Sequence, residues 1–164
     1  MANLKKDRIL VIGIGNSFRG DDAAGLLAAR RLKSTGLGSV EVIEHSGDGA
    51  SLMETWKDVE AVILIDAVSS GTTPGSIYRM ESTSRPLPAN LFQNSTHAFS
   101  LPHAVEMSRA LGILPSTVII FGIEGKTFQA GTELSSGVNE ALPELVTRVT
   151  EEVKALRDSN VKGE

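Results

Sequence analysis

Cysteine is absent from this sequence of 164 residues, and its absence removes several classes of function at once. Without a thiol there is no cysteine nucleophile, no disulfide bond and no thiolate metal site. An excess of basic residues is also lacking, since the formal net charge is −4 and the isoelectric point is near 5.4. Because binding to nucleic-acid phosphates requires a basic patch, no nucleic-acid partner is expected.

Long apolar runs are missing as well. No stretch approaches the roughly 18 residues needed to span a bilayer, so no membrane partner is expected. The start of the chain, Met1–Asp7, carries two lysines ahead of an apolar run. That run is short, contains glycines and leads to no small-residue cleavage site, so it predicts a first strand and not a signal peptide. These features favour a cytoplasmic protein.

The composition, 41% apolar and 22% charged residues, is that of an ordinary globular protein. A chain of this length is sufficient to bury a core. We expect a monomer with a single domain over residues 1–156, followed by a polar tail, 157–164, that frays.

Strands and helices are predicted to alternate along the chain. Apolar runs rich in Val and Ile, typical of strands buried on both faces in the centre of a sheet, occur at Ile9–Ile14, Val40–Ile43, Ala61–Ile65 and Val118–Ile123. Segments with helical spacing occur at Ala23–Leu32, Ala50–Trp56, Leu101–Leu111 and from Val138 to about Leu156. This alternation implies right-handed βαβ units and a mostly parallel sheet covered by helices.

One strand is predicted to run the other way. The Pro74-Gly75 turn leads without a helix into Ser76–Met80, which indicates a hairpin-linked, antiparallel edge strand. The predicted fold class is therefore α/β, a three-layer α/β/α sandwich with a twisted, mostly parallel sheet of about five strands and one antiparallel edge strand.

Two loops interrupt the alternation. Glu81–Phe99 shows little periodicity and is about as long as a structureless connection becomes in a compact domain, and such loops are usually functional. His97 lies at its end. Glu124–Ser136 is a second, shorter loop that also leaves the carboxyl end of a predicted strand.

The glycine-rich turn Gly13–Gly20 has the outline of a phosphate-binding loop, in which backbone N–H groups and a helix N-terminus face an anion. It matches neither nucleotide motif. Phe18 stands at the third glycine of G-x-G-x-x-G, and Asp21 stands at the lysine of G-x-x-x-x-G-K-[ST]. Asp21 and Asp22 would each repel a nearby phosphate by several kcal/mol, even at an effective dielectric of about 20. Phosphate binding without a metal is therefore disfavoured.

Ligands of parallel α/β sheets gather at the carboxyl ends of the strands. The polar candidates near these ends are Asn16, Asp21, Asp22, Glu44, His45, Asp66 and Glu124, to which the long loop adds His97. From this set, Asp22, Asp66 and His97 offer two carboxylates and one imidazole on separate loops. Three such ligands with an open position suit a catalytic or substrate-bridging divalent metal.

Each candidate also has a structural interpretation. Asp21 or Asp22 could cap the helix that begins near Ala23, and capping is favoured more for Asp21. Asp66 directly follows an apolar strand, where a carboxylate costs strand propensity and risks burial without a partner, so a functional role is favoured. His97 is by default a surface residue, comparable to His103, and is preferred because it closes the long loop.

A receiver-like domain, a metal-dependent phosphoacceptor, is a rival interpretation. Asp21, Asp22 and Asp66 loosely match the acidic pair and the strand-three aspartate of such domains. However, six residues separate Ile14 from the acidic pair, whereas the receiver pair directly follows its strand. Lys126 comes late in the chain and lacks a following proline, and His97 would have no role.

The run ILVIGIGNSFRGDDAAG, from Ile9 to Gly25, closely resembles the opening of the hydrogenase maturation peptidases. Asp66-Ala67 matches the strand-end Asp-Ala of this family, Pro74-Gly75 its turn, and His97 its loop histidine. Order and spacing agree from about residue 8 to residue 156. Two loops depart from the family pattern. Residues 44–49 replace an Asp followed by glycines and Thr, and residue 125 is a glycine where a proline is common.

This resemblance implies an endopeptidase that removes a C-terminal extension from the large-subunit precursor of a nickel–iron hydrogenase after nickel insertion. It also implies that the metal-contacting triad of the family falls on Asp22, Asp66 and His97. The metal is then the nickel carried by the substrate. No tightly bound cofactor is expected, although a divalent metal can occupy the site of the isolated protein.

Three mechanisms stay open at this point. A water polarised by the metal could attack the peptide, or Asp22 and Asp66 could share a proton as an aspartic dyad. A serine could also act with His97 and Asp66, although no G-x-S-x-G motif supports it. The candidate serines are Ser17, Ser46 and Ser95. The non-enzymatic alternative is a maturation chaperone that binds nickel and the precursor without cleaving it.

Overall fold

The computed structural model describes residues 8–162, which form five strands and four α-helices in the predicted alternation. The strands are β1 (Ile9–Ile14), β2 (Glu41–His45), β3 (Ala61–Val68), β4 (Ile77–Glu81) and β5 (Thr117–Glu124). The helices are α1 (Ala24–Thr35), α2 (Gly49–Trp56), α3 (Leu101–Leu111) and α4 (Ser136–Lys162). Two short 3-10 helices, Gly20–Ala23 and Ala89–Phe92, precede α1 and α3.

The strands form one sheet in the order β2-β1-β3-β5-β4. All neighbouring pairs are parallel except β4 and β5, so β4 is the predicted antiparallel edge strand. From β1 the chain crosses to β2 on one side and then returns to β3 on the other. The carboxyl ends of β1 and β3 therefore flank a topological switch point, where α/β sheets commonly bind their ligands.

Helices cover both faces of this sheet, as predicted. Apolar residues of α1 and α4, such as Leu32 and Leu145, pack against one face of β1, β3 and β5. Residues of α2 and α3, such as Trp56 and Val105, pack against the other face. The single Trp is fully buried, and its indole Nε1–H donates to Ser108 Oγ at 2.9 Å, which satisfies the polar atom. The three-layer α/β/α class is confirmed.

β2 differs from the prediction. It was expected in the centre of the sheet over Val40–Ile43, but it forms an edge and spans Glu41–His45. The two glutamates of β2 are exposed, and they pair with basic residues of neighbouring segments. Arg8 Nη2 lies 3.0 Å from Glu41 Oε2, and Arg30 Nη2 lies 2.8 Å from Glu44 Oε1. Charged side chains of this kind protect an edge strand from pairing with another chain.

The last helix continues six residues beyond its predicted end near Leu156, through Lys162. No glycine or proline interrupts the sequence between Pro143 and Gly163, so nothing in the chain stops the helix earlier. Residues 157–162 therefore belong to α4 and not to a separate tail, while residues 163 and 164 lie outside the described part. No helix among residues 8–162 is both long enough and apolar enough to cross a membrane.

Candidate active site

An open cleft of about 520 Å³ lies at the carboxyl edge of the sheet, where β1, β2 and β3 end. Asp22, Asp66 and His97 all line this cleft, although each comes from a different part of the chain. The three candidate serines Ser17, Ser46 and Ser95 line it as well. The expectation that the strand ends and the long loop meet at one place is thus met for these side chains.

The glycine-rich turn presents Asp22 to the cleft. Its ends are closed by a hydrogen bond from the backbone N–H of Asn16 to the carbonyl oxygen of Asp22, at 3.2 Å. A Cβ atom on Gly15 would lie only 1.9 Å from that same carbonyl oxygen, so the turn closes only with glycine here. Gly20 adopts the left-handed conformation, with φ of 55°, which glycine accepts without strain. The glycines therefore serve the geometry of the turn and not the approach of a phosphate.

The carboxyl of Asp22 is partly buried at the wall of the cleft. Burial raises its pKa above the ordinary value, against the opposing effects of Arg19, of a hydrogen bond from the backbone of Asn16 and of His97. Arg19 Nη1 lies 3.5 Å from Asp22 Oδ2, a longer separation than a good charge-assisted hydrogen bond. Arg19 therefore stabilises the ionised carboxylate of Asp22 only in part.

Asp66 lies inside β3, which extends to Val68, and not after the strand end at Ile65 as predicted. Its backbone continues the parallel pairing with β5 opposite Gly122. Burial and, secondly, repulsion from Asp22 raise the pKa of Asp66 well above its ordinary value, with only the backbone N–H of Ala67 opposing them. The two carboxyls thus form an electrostatically coupled pair that lacks enough positive charge.

His97 is oriented by the turn that follows β2. Its ring Nε2 lies 3.0 Å from the carbonyl oxygen of Ser46, and its backbone N–H donates to Ser95 Oγ at 3.2 Å. Because a carbonyl only accepts, Nε2 carries the proton in the neutral ring, and the lone pair of Nδ1 is left available. Histidine ligands of metals commonly donate their other N–H to a backbone carbonyl in this way.

The three side chains do not form a closed metal centre. Across the described residues, no group of three acidic or histidine side chains lies close enough together to hold a metal ion. The assignment of Asp22, Asp66 and His97 as metal-contacting residues therefore stays a prediction, supported by their shared cleft.

Asp21 has a different role from the predicted helix cap. It is fully buried, and its side chain makes no capping hydrogen bond at the 3-10 helix. Its carboxylate instead accepts four hydrogen bonds from the loop between β5 and α4: from the backbone N–H groups of Lys126 (2.7 Å), Thr127 (3.0 Å) and Ser135 (2.8 Å), and from Ser135 Oγ (2.8 Å). The acidic pair is therefore divided between two sites, which removes the arrangement that a receiver-like phosphoacceptor needs.

Arg19 was not identified from the sequence as part of the site. Its guanidinium Nη1 donates to the carbonyl oxygen of Asn94 at 3.0 Å and also faces Asp22. It thereby connects the glycine-rich turn to the long loop that carries His97. That loop is also less irregular than predicted, because the 3-10 helix Ala89–Phe92 anchors it through the buried Phe92.

The other two histidines are held by hydrogen bonds to neighbouring groups, and His45 also lines the cleft. His45 Nδ1 accepts from the backbone N–H of Gly47 at 2.9 Å, so its Nε2–H donates to Ser51 Oγ at 2.9 Å. A histidine that activates a serine accepts the hydroxyl proton, whereas His45 donates to Ser51, so this pair is not a catalytic one. Burial lowers the pKa of His45. His103 Nδ1 accepts from the backbone N–H of Ser100 at 3.2 Å, within the cap of α3.

Comparison with known proteins decides the family. A family model described as "HycI: Hydrogenase maturation protease" matches residues 24–152. The chain belongs to the hydrogenase maturation protease family. This membership confirms the resemblance seen in the sequence and, at the level of the family, the prediction of a peptidase.

Individual relatives agree with this membership. The chain is 28% identical over 151 residues to a putative hydrogenase maturation protease of Methanocaldococcus jannaschii, covering 90% of this chain and 95% of that one. It is 27% identical over 126 residues to the hydrogenase expression/formation protein HupD of Rhodobacter capsulatus, covering 76% of this chain but only 60% of HupD. The solution structure of an endopeptidase from Escherichia coli superimposes with a TM-score of 0.78 at 25% identity, covering 93% of each chain.

Proposed function

We propose that this hydrogenase maturation protease is an endopeptidase that removes the C-terminal extension of a nickel–iron hydrogenase large-subunit precursor after nickel insertion. In this proposal, Asp22, Asp66 and His97 contact the nickel that the precursor carries. The observation that carries the proposal is the meeting of these three side chains, from three separate segments, in one open cleft at the topological switch point.

The electrostatics of the cleft support a cation as the missing partner. Burial raises the pKa of Asp22 and of Asp66, and the two carboxyls repel each other when both are ionised. A divalent cation between them relieves that repulsion and favours the charged form of both. The Nδ1 lone pair of His97 supplies the nitrogen donor. Because the cleft is open, the cation can arrive attached to another protein.

Nickel then serves as the anchor of the substrate. Its contacts hold the scissile peptide beside the two carboxyls, which supplies the proximity that hydrolysis requires. A water molecule adds its hydroxyl to the peptide carbonyl carbon, a carboxylate takes the remaining proton, and the C–N bond breaks as the leaving amine gains a proton. The products are the mature large subunit with a new carboxyl terminus and the free extension peptide.

The side-chain contacts favour a water nucleophile over a serine. The Nε2–H of His97 faces the carbonyl oxygen of Ser46, and among the described residues neither ring nitrogen of His97 is hydrogen-bonded to a serine hydroxyl. A serine nucleophile needs a histidine lone pair directed at its hydroxyl.

The test measures the mass of the precursor after incubation with the protein. Nickel-loaded precursor is expected to be shortened, and nickel-free precursor is expected to stay intact. Asp22→Ala, Asp66→Ala and His97→Ala should each reduce the rate about 1000-fold or more, because each removes a contact to the anchor. Glu44→Gln is the matched control, since Glu44 lines the same cleft but is paired with Arg30, and its rate should change less than about threefold.

Three outcomes would contradict parts of the proposal. A precursor that is bound but not shortened in either sample indicates the chaperone function instead. Equal cleavage of both samples means that nickel is not the recognised feature. Cleavage that survives all three alanine substitutions places the active site elsewhere while leaving the peptidase function intact.

A further inference from the structure

Phe18 is an exposed aromatic side chain at the rim of the cleft. All seven aromatic residues of the sequence lie within the described part, and the other six are buried or partly buried: Trp56, Tyr78, Phe92, Phe99, Phe121 and Phe128. The side chain of Phe18 is 78% exposed, more than any other large apolar side chain among residues 8–162. A single exposed apolar residue is common on protein surfaces, so the informative feature of Phe18 is its position on the lining of the cleft.

The backbone that carries this ring is fixed on both sides. The N–H of Phe18 donates to Asn16 Oδ1 at 2.9 Å, and its carbonyl oxygen accepts from the N–H of Gly131 at 2.8 Å. The next residue, Arg19, is held through its contact with the carbonyl of Asn94. The backbone at Phe18 therefore has little freedom left to lose when a ligand covers the ring. The exposed side chain stands on a constrained turn.

The position of the ring relates it to the proposed chemistry. Phe18 lines the same cleft as Asp22 and belongs to the same turn, which is closed by the hydrogen bond between Asn16 and Asp22. A peptide whose nickel lies at Asp22 occupies the cleft that Phe18 also lines. The nearby acidic side chains attract a cation but offer nothing to an apolar group, whereas an aromatic ring does.

We propose that Phe18 is a specificity-determining residue that contacts an apolar side chain of the precursor within a few residues of the scissile bond. The occupant is an extended peptide segment with an aliphatic or aromatic side chain that covers the ring. This inference rests on the proposed function, because it takes the precursor as the ligand of the cleft.

Kinetics on nickel-loaded precursor test the contact. Phe18→Ala should raise KM about tenfold, equivalent to about 1.4 kcal/mol, with kcat within about twofold of the wild type. Phe18→Leu keeps an apolar side chain and should stay within about threefold in KM. Leu111→Ala is the matched control, because Leu111 is 62% exposed at the end of α3, outside the cleft, and its KM should not change. An unchanged KM for Phe18→Ala, or a fall confined to kcat, would overturn the proposal.

A double-mutant cycle identifies the partner side chain. Apolar residues flanking the cleavage site of the precursor are replaced by alanine one at a time, and each is assayed with wild-type protein and with Phe18→Ala. One precursor variant should abolish the tenfold difference between the two proteins, whereas additive effects for every variant would contradict a direct contact. If the wild type does not shorten the precursor, the proposed function fails independently of this contact. The same cycle is then measured with dissociation constants in place of KM, and equal affinities of the wild type and Phe18→Ala for the precursor would overturn the contact.

Discussion

Asp21 and Asp22 are neighbours in the sequence but belong to two chemically different regions. The carboxylate of Asp21 is buried behind the glycine-rich turn and accepts four hydrogen bonds from the loop between β5 and α4. The carboxyl of Asp22 faces the cleft, where its nearest cation, Arg19, is 3.5 Å away. Asp21 therefore has a complete set of hydrogen-bond donors, whereas Asp22 has too few.

The same contrast holds for a second pair of acidic residues. Glu124 at the end of β5 is buried, and it accepts from the backbone N–H groups of Ser70 (2.8 Å) and Gly71 (2.9 Å) and from Ser70 Oγ (2.9 Å). Asp66, inside the neighbouring strand β3, is opposed by Asp22 and has only one stabilising backbone N–H. A buried carboxylate with a full set of donors stabilises a loop, whereas one with too few donors costs stability, which is typical of functional sites.

The largest effect is expected for Asp21. Asp21→Ala leaves three backbone N–H groups and one hydroxyl without their acceptor. In Asp21→Asn the amide N–H₂ replaces one of the two carboxylate oxygens, and in either orientation it faces backbone N–H groups that can only donate. Either substitution should lower the free energy of unfolding by about 4 kcal/mol, a large part of the usual 5–15 kcal/mol. Urea unfolding followed by circular dichroism measures the change.

Asp22→Ala is the matched control for this prediction. Because burial raises the pKa of Asp22, its charge is not a source of stability, and its removal should change the free energy of unfolding by less than about 1 kcal/mol. Similar losses for the two neighbours would contradict the division into a structural and a functional region.

The fold was predictable where burial alone determines the pattern. β1, β3 and β5 are buried on both faces, so their runs of Val and Ile revealed them directly. The position of β2 at the edge depends on the strand order, which hydrophobic periodicity does not encode. The end of α4 was missed because the polar residues 157–162 carry no apolar repeat although they contain no helix breaker.

The site was predictable to the extent that it depends on strand ends. Parallel strands bring their carboxyl ends to one edge, so the sequence alone predicted that Asp22 and Asp66 lie close together. The role of Asp21 was not predictable, because its partners lie 105 to 114 residues further along the chain. The contact of Arg19 with Asn94 spans 75 residues and likewise has no local sequence signal.

Asp66→Asn is expected to raise the free energy of unfolding, whereas the substitutions of Asp21 lower it, and the size of the change should be intermediate. The folded-state pKa of Asp66 lies above its unfolded value, so the folded protein loses stability as the pH rises toward and through the folded pKa. The asparagine variant avoids this loss. It should be more stable than the wild type at pH 8, and this advantage should shrink as the pH falls toward the unfolded pKa.

Urea unfolding of both nickel-free proteins between pH 4 and pH 8 gives this dependence. A variant that is less stable than the wild type at every pH, or an advantage that does not change with pH, would show that Asp66 is not an electrostatically unfavourable carboxyl. The same variant should fail to cleave the precursor, so stability and activity would change in opposite directions.

The smallest effect is expected for Glu124→Gln, and it separates hydrogen bonding from charge within the structural region. The amide oxygen of glutamine can replace Oε1 and accept from the N–H groups of Ser70 and Gly71. Its N–H₂ group then faces Ser70 Oγ, whose hydroxyl can rotate to donate to Thr72 Oγ1 or Tyr78 Oη, at 3.3 and 3.4 Å. Every polar atom keeps a partner, so the loss in unfolding free energy should be about 1 kcal/mol or less.

Asp21 has no such solution, because N–H groups donate to both of its oxygens. A loss for Glu124→Gln as large as that for Asp21→Asn would mean that the negative charge itself, and not the supply of hydrogen-bond donors, distinguishes the structural carboxylates from those of the cleft.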